Sequence, residues 1–310
     1  MIPGFRMKKS VFVGLAVHHA RLSMIKLKQI KKDILIEGFA TADFPAGYVT
    51  DGEPAQAASL SQMIKQLVRM SAAENCYAAL ALPASQVINK RIRVAACLND
   101  KEREAEIGSN LKYYLPGINE PLNFDFVPIE NQGNEVELQL IAARTKQVET
   151  YISAAKAAEL KIKIVDVDVY AAARAICVAL PPNKDDQIIV LLEIDILTAQ
   201  LILLKNGKVI SIYPIVMDAE DTLLQQIKRG MQIFSAAIQT ANIEKILLIG
   251  HLPKLPPLKT ILKETFAIPV HVFDTFHGVL LHPKLNVEKL NLHTSELLVA
   301  FGLALRGLAG

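Results

Sequence analysis

Seven histidines, three cysteines and a near-balanced set of carboxylates and cations are the side chains here that could hold a metal, carry a proton or attract an anion. Five of the histidines, His251, His271, His277, His282 and His293, fall in the last sixty residues and raise a structural metal site as a candidate. Their spacings match neither HExxH nor paired CxxC, so dispersed surface or capping histidines are the plainer reading. Cys76, Cys97 and Cys177 form an odd set with no CxxC pair. That argues against a disulfide framework and for a reducing compartment, with each cysteine read as a small buried side chain. No GxSxG, no GxxxxGK[ST] and no Cys beside a sequence-local His is present, so neither a hydrolase nor a P-loop enzyme is expected. His18, His19 and Arg21 lie together at a turn, where they could attract an anion or be solvated.

The rest of the composition bounds the partners. The chain has 310 residues, 51% hydrophobic and 21% charged, which excludes disorder and suggests two domains of about 150 residues. A net charge of +3, from 34 basic against 31 acidic side chains, is too balanced for a dedicated nucleic-acid binder. The run Lys26, Lys28, Lys31 and Lys32 reads as a hairpin edge protected by lysines, or as a weak attraction to an anionic membrane leaflet. Arg6, Lys8 and Lys9 precede the apolar run Val11 to Val17, but His18 and His19 end it without a small-residue cleavage site, so it reads as a strand. Every other apolar stretch is broken well before the ~20 residues of a membrane span, and a soluble cytoplasmic protein is expected.

The elements that would position these residues follow from periodicity. VFVGLAV, RLSMIKL and ILIEGFATADF form a three-stranded meander. Leu60, Ile64, Leu67 and Val68 recur at helical spacing, and CYAALAL is a buried strand. VINKRIRV, a helix opened by the capping box Asn99 to Glu102 and running to about Tyr114, LNFDFVPI and EVELQLIAA form an insert. A helix from Thr145 to Glu159, the strand KIKIVDVD and the Ala-rich helix ended by Pro181 and Pro182 close the first half. IIVLLEI, AQLILLK and KVISIYPI then repeat the meander, with Asn206-Gly207 as a turn. A helix bearing Leu223, Leu224, Ile227, Met231 and Phe234, the strand KILLIG, a helix from Leu255 to Phe266, the strand PVHVF and a last helix through SELLVAFGLALRG complete the second half.

Both halves thus share the order βββαβαβα. A repeat at this scale predicts an α/β protein of two similar lobes with a ligand cleft between them. The expected lobes are residues 10–182, carrying a small α+β insert at about 86–143, and residues 183–310.

That duplicated order is the plan of the actin, sugar kinase and Hsp70 superfamily. Within it, ALALPASQVINKRIRV, LNFDFVPIE, LIAARTKQVETYISAAKAAELKIKIVDVDVYAAARAI and LLVAFGLALRG resemble the PilM family, the actin-like proteins of type IV pilus assembly. The similarity to the cell-division protein FtsA is more distant. The resemblance spans Val11 to Gly307 and implies an ATP-binding cleft, association with the inner-membrane pilus platform, and capture of an amino-terminal peptide of the membrane protein PilN.

In actin-like folds the first hairpin of each meander grips phosphate, which needs Gly for close backbone approach and an acidic residue for the Mg²⁺ water shell. Where the family has Asp, spacer, Gly, this chain has Ala16, Val17 and His18, followed by His19 and Arg21. The second hairpin reads Glu193, Ile194, Asp195, with Thr198 beyond, so Asp195 brings negative charge toward a phosphate. In the adenosine turn Gly250 remains, but His251 and Leu252 replace small residues and Pro256-Pro257 stiffens the helix entry.

These residues define a degenerate nucleotide cleft: His18, His19, Arg21, Glu193, Asp195, Thr198 and Gly250. The expectation is a cytoplasmic, non-enzymatic adaptor without cofactor, peripheral to the inner membrane through its partners. Those partners are the amino-terminal cytoplasmic peptide of a PilN-like protein and the pilus assembly motor complex. Asn89, Arg91 and Arg144, which flank the insert, are the candidate peptide contacts; each could equally be a solvent-facing strand position. The alternative is an active ATP-binding pilus protein in which Glu193 and Arg21 replace the missing motif residues. A sugar kinase is disfavoured, because phosphoryl transfer needs a positioned carboxylate base and a metal-bound nucleotide.

Overall fold

The computed structural model describes residues 11–17, 21–44, 49–50, 53–54, 57–179, 188–194, 199–215, 222–238, 242–250 and 255–309. β1 (Val11–Val17), β2 (Arg21–Ile30) and β3 (Asp33–Asp43) form an antiparallel meander. Two short strands, β4 (Val49–Thr50) and β5 (Glu53–Pro54), pair with each other ahead of α1 (Ala57–Met70). All four apolar residues read at helical spacing on α1 are buried against the sheet. β6 (Tyr77–Leu82) runs parallel to β1 and leads through a single 3-10 turn (Ala84–Gln86) into the insert.

The insert consists of β7 (Val87–Ala95), α2 (Asp100–Ser109), α3 (Leu111–Tyr114), β8 (Leu122–Gln132) and β9 (Glu135–Arg144). Its sheet has the order β7-β9-β8 and its own core around Ile107, Leu138 and Leu140. The Asn99–Glu102 capping box is present. The expected single helix to Tyr114 is two helices, because Asn110 leaves helical geometry at φ −112°, ψ 20°. α4 (Thr145–Ala157), β10 (Lys161–Val167) and α5 (Asp168–Ala179) return the chain to the first sheet.

The second half repeats the pattern with β11 (Ile188–Ile194), β12 (Ala199–Lys205), β13 (Lys208–Ile215), α6 (Leu223–Ile238), β14 (Lys245–Gly250), α7 (Leu255–Phe266) and β15 (Val270–Val272). Its strand order, β13-β12-β11-β14-β15, is that of the first sheet, β10-β6-β1-β2-β3-β16, read from the other edge and without the last strand. That strand, β16 (Leu280–Leu281), precedes α8 (Val287–Leu292) and α9 (Leu298–Ala309).

The last thirty residues cross the expected division at residue 183. β16 pairs in parallel with β3, and α9 packs against β1 and α5, so this part of the expected second lobe belongs to the first sheet. The reason lies in β1, which is buried on both faces. Val13, Leu15 and Val17 face α1 and α4, while Phe12 and Ala16 face α5 and α9. Between Phe12 and Ala16, Gly14 lets α9 approach so closely that a Cβ there would lie 1.8 Å from the Ala300 carbonyl oxygen. Apolar residues of the second sheet, among them Leu191, Ile202 and Ile249, join the same core, so α5 and α9 lie between the two sheets. An all-round apolar helix such as α9 suits that position.

Two of the three cysteines depart from the expectation of burial: Cys97, in the turn before α2, and Cys177, in the last turn of α5, are exposed. Short turns and helix ends at the surface offer no apolar enclosure.

Candidate functional site

β10 passes directly into α5, which places the Asp168 carboxylate in the first helical turn, among N–H groups that lack intrahelical acceptors. Its Oδ1 accepts hydrogen bonds from Val169 N at 2.6 Å and from Ala84 N at 3.0 Å. Ala84 begins the turn that leads to the insert, and Glu193, near the end of β11, acts on Asp168 from the second lobe. Asp168 therefore stands where both lobes and the insert meet. Burial of the carboxyl, then the negative charge of Glu193, push its pKa up to about 7 against the opposing pull of the two N–H donors. Near neutral pH this group is divided between its protonated and ionised forms.

Glu193 accepts a hydrogen bond from Gln200 Nε2 at 2.7 Å, its register partner on β12. One strand over, Gly250 ends β14 opposite Ile194 with φ +131°, and a Cβ would lie 1.7 Å from the Ile194 carbonyl oxygen. No other residue fits this turn without moving β11. Asp168 and Glu193 supply the hard oxygens a Mg²⁺ water shell would use, and Gly250 supplies open backbone.

The first hairpin differs. Ala16 is fully buried between Ser23 of β2 and Ala81 of β6 and offers no side-chain oxygen. Arg21, at the start of β2, donates from Nε to Asp43 Oδ1 at 2.5 Å and forms a second ion pair with Glu296, just before α9. Glu296 also holds His293, with Nδ1 to Oε2 at 2.5 Å. Burial, then the nearby Arg21 and Lys289 charges, lower the His293 pKa. Arg21 is thus engaged by two carboxylates and closes a contact between the hairpin and the carboxyl-terminal segment.

A third group of charges fixes α9. Asp166, buried near the end of β10, receives Arg306 Nη1 from α9 at 2.8 Å and Arg174 Nη2 from α5 at 3.2 Å. Arg174 Nη1 also donates to the Gly302 carbonyl at 3.0 Å. Two cations on neighbouring helices sharing one buried carboxylate satisfy the pairing that a buried charge requires.

Of the predicted cleft residues, the structure brings Glu193 and Gly250 to adjacent strand ends and turns Arg21 toward Asp43 and Glu296. His18, His19, Asp195, Thr198, His251 and Leu252 lie outside the described residues. Of the predicted partner contacts, Asn89 and Arg91 share the outer face of β7, whereas alternation puts Arg144 on the opposite face, 3.3 Å from Glu120. Asn89 Nδ2 donates to Tyr170 Oη at 3.4 Å, and Asn89 Oδ1 accepts from Gln139, so Asn89 joins the insert to α5. Arg91 pairs with Glu137 at 3.9 Å and remains half exposed. Among the described residues no group of three or more His, Cys, Asp or Glu side chains could hold a metal ion.

Asp168, Asp166 and Glu296 were not singled out from the sequence. For Asp168 the signal was present: KIKIVDVDVYAAA carries a carboxylate where a strand pattern gives way to a helix pattern. Nothing local marks Glu296 as the partner of Arg21.

Two sheets that share a five-strand order, the first extended by β16, packed about two shared helices with charged groups at the facing strand ends, are the architecture of the actin-like ATPase fold. A Bacteroides thetaiotaomicron protein with that fold superposes at a TM-score of 0.52 with 9% identity, over 94% of this chain and 98% of its own. The ethanolamine utilization protein EutJ from Carboxydothermus hydrogenoformans superposes at 0.51 with 14% identity, over 95% and 89%. The solved PilM-PilN type IV pilus biogenesis complex reaches 0.78 with 23% identity, over 96% of this chain and 98% of that one. The sequence family described as type IV pilus assembly protein PilM matches residues 14–213 and 215–308. The chain belongs to that family.

Proposed function

We propose that the chain is a scaffold of the type IV pilus inner-membrane assembly platform that binds the amino-terminal cytoplasmic peptide of a PilN-like bitopic protein, and that its nucleotide binding is lost or weak. The observation that carries the partner is the similarity, over nearly the whole chain, to the protein solved in the PilM-PilN complex. Among the described residues no helix is long and apolar enough to cross a membrane, and the chain sits at the inner membrane through that partner. The peptide lies beside the insert, where Asn89 and Tyr170 form the seam with the first lobe and Arg91 stands exposed on the same face.

Weak nucleotide binding is supported by two features. Ala16 provides no metal-facing oxygen, and Arg21 is held by Asp43 and Glu296. No phosphoryl transfer is assigned to this site, and no ATPase activity is expected.

Two measurements test the reading. Calorimetry with a synthetic peptide of the partner's cytoplasmic amino terminus gives saturable binding that disappears on deletion of residues 86–143 in a protein that remains folded; unchanged affinity refutes the site. Ligand bound only to the folded state at 1,000 times its Kd adds about 4 kcal/mol of stability, so millimolar Mg-ATP would raise the melting temperature by several degrees at a micromolar site. The expected shift is near zero. A clear rise abolished by Glu193→Ala establishes an active ATP-binding protein instead.

A further inference from the structure

The end of the first sheet remote from Asp168 carries charge that the proposed function does not use. β1, β6 and β10 run parallel, so their starts share one end of the sheet with the carboxyl end of β2. β1 begins at Val11 opposite Lys28, and among the described residues the β2–β3 hairpin continues past it as a finger, with Ile30 paired to Asp33 and Lys31 and Lys32 at the tip. Lys161 and Lys163 of β10 lie at the same end, 5.9 and 5.3 Å from the centre of the Tyr77 ring. The end of α1 comes down beside them, tied by Lys26 Nζ to the Ala72 carbonyl at 2.8 Å, and presents Arg69 and Met70.

The nearby carboxylates are already engaged or outnumbered. Glu37 is shared by Lys26 and Lys28 at 3.5 and 3.3 Å, and Glu159 pairs with Lys65 at 3.5 Å. Among the described residues none of Lys31, Lys32, Arg69, Lys161 and Lys163 forms an ion pair; only Asp33 and Glu74 remain to oppose them. Two large apolar side chains are exposed in the same region, Ile30 at 40% and Met70 at 48%.

The duplication supplies an internal control on the turn. The matching hairpin of the second lobe uses Asn206 and Gly207, both at positive φ (51° and 76°), the residues that such a turn favours. The first-lobe tip places Lys31 at φ 55°, a backbone conformation that disfavours lysine. Lysines stand at the first-lobe tip where the second lobe has Asn206 and Gly207.

We propose that this end of the first lobe docks directly on an anionic bilayer, with Lys31 and Lys32 among the headgroups, Lys161 and Lys163 beside them, and Ile30 and Met70 entering the boundary with the acyl chains. Lysines near an anionic leaflet each add to attraction within a Debye length of about 8 Å at physiological salt. Exposed apolar residues among them distinguish a bilayer from a polyanion such as nucleic acid, which offers nowhere to bury them. This surface acts without the peptide partner, so its test is independent of the preceding reading.

The test is co-sedimentation of the purified full chain with vesicles of phosphatidylglycerol and phosphatidylcholine, with vesicles of phosphatidylcholine alone, and a parallel titration with single-stranded DNA. Binding to the anionic vesicles only, falling as salt is raised, is expected. Lys31→Gln with Lys32→Gln lowers partitioning by about 25-fold, roughly fivefold per lysine. The same charge change at exposed Lys259 and Lys263 on α7 leaves it unchanged. If the tip variant misfolds by circular dichroism, Lys161→Gln with Lys163→Gln makes the same test. Equal binding to both vesicle types, equal loss in the α7 variant, or binding to DNA with none to vesicles overturns the proposal.

Discussion

Replacing Asp168 by Asn removes one charge from the point where the lobes and the insert meet while keeping an oxygen to accept from Val169 N and Ala84 N. The wild-type carboxyl has its pKa raised from 3.8 to about 7 by burial and then by Glu193, so ionising it works against folding. Below about pH 4 the group is neutral in the folded and unfolded chain and carries no penalty. As pH rises toward 7 the unfolded chain has lost the proton that the folded chain retains, and stability falls until the penalty is complete just above pH 7. Three units at 1.36 kcal/mol each set a ceiling of ~4 kcal/mol, and partial solvent access reduces the expected value to ~2 kcal/mol. Asp168→Asn should therefore match the wild type near pH 4 and exceed it by ~2 kcal/mol at pH 8. Urea denaturation at both pH values reads this as a midpoint shift of about 1 M at pH 8. Glu193→Gln should recover part of the same gain, and the double variant should gain less than the sum, because one repulsion is removed twice. Equal stability of Asp168→Asn and wild type at pH 8, or a loss there, would refute the assignment of Asp168 as a carboxylate strained by its surroundings.

Gly14→Ala inserts a methyl 1.8 Å from the Ala300 carbonyl oxygen, so α9 must move off β1 and the thermal midpoint should drop by the equivalent of ~3 kcal/mol; a drop within ~0.5 kcal/mol is incompatible with the contact. Arg21→Gln leaves Asp43 and Glu296 without their cation and removes one of the charges that lower the His293 pKa, so an NMR titration should show that pKa rise. Since the lowered His293 pKa makes the fold lose stability as pH falls through the titration of histidine, Arg21→Gln should also flatten that slope, and an unmoved His293 titration would separate the two residues.

Local periodicity determined most elements of this protein, though not the helix break at Asn110 or the short β16 and α8. Leu60, Ile64, Leu67 and Val68 can bury together only on a helix, and the three apolar runs of each half only as strands. The capping box at Asn99 was equally legible, because its two hydrogen bonds join residues three apart. The repeated order then yielded two lobes, and the altered first hairpin could be read from Ala16 directly.

Tertiary structure decided which surfaces those elements meet. The apolar circumference of α9 announces burial but carries no address; the address is Gly14, whose missing side chain opens β1 to a helix nearly three hundred residues later. In the same way Arg21 reads as a free cation at a turn until the fold brings Asp43 and Glu296 to it, and Asp168 reads as an ordinary carboxylate until burial and Glu193 raise its pKa. Periodicity is a property of neighbours along the chain, whereas charge and burial depend on distance through space. Most elements of this protein were therefore settled by sequence, and the electrostatics of its cleft by packing.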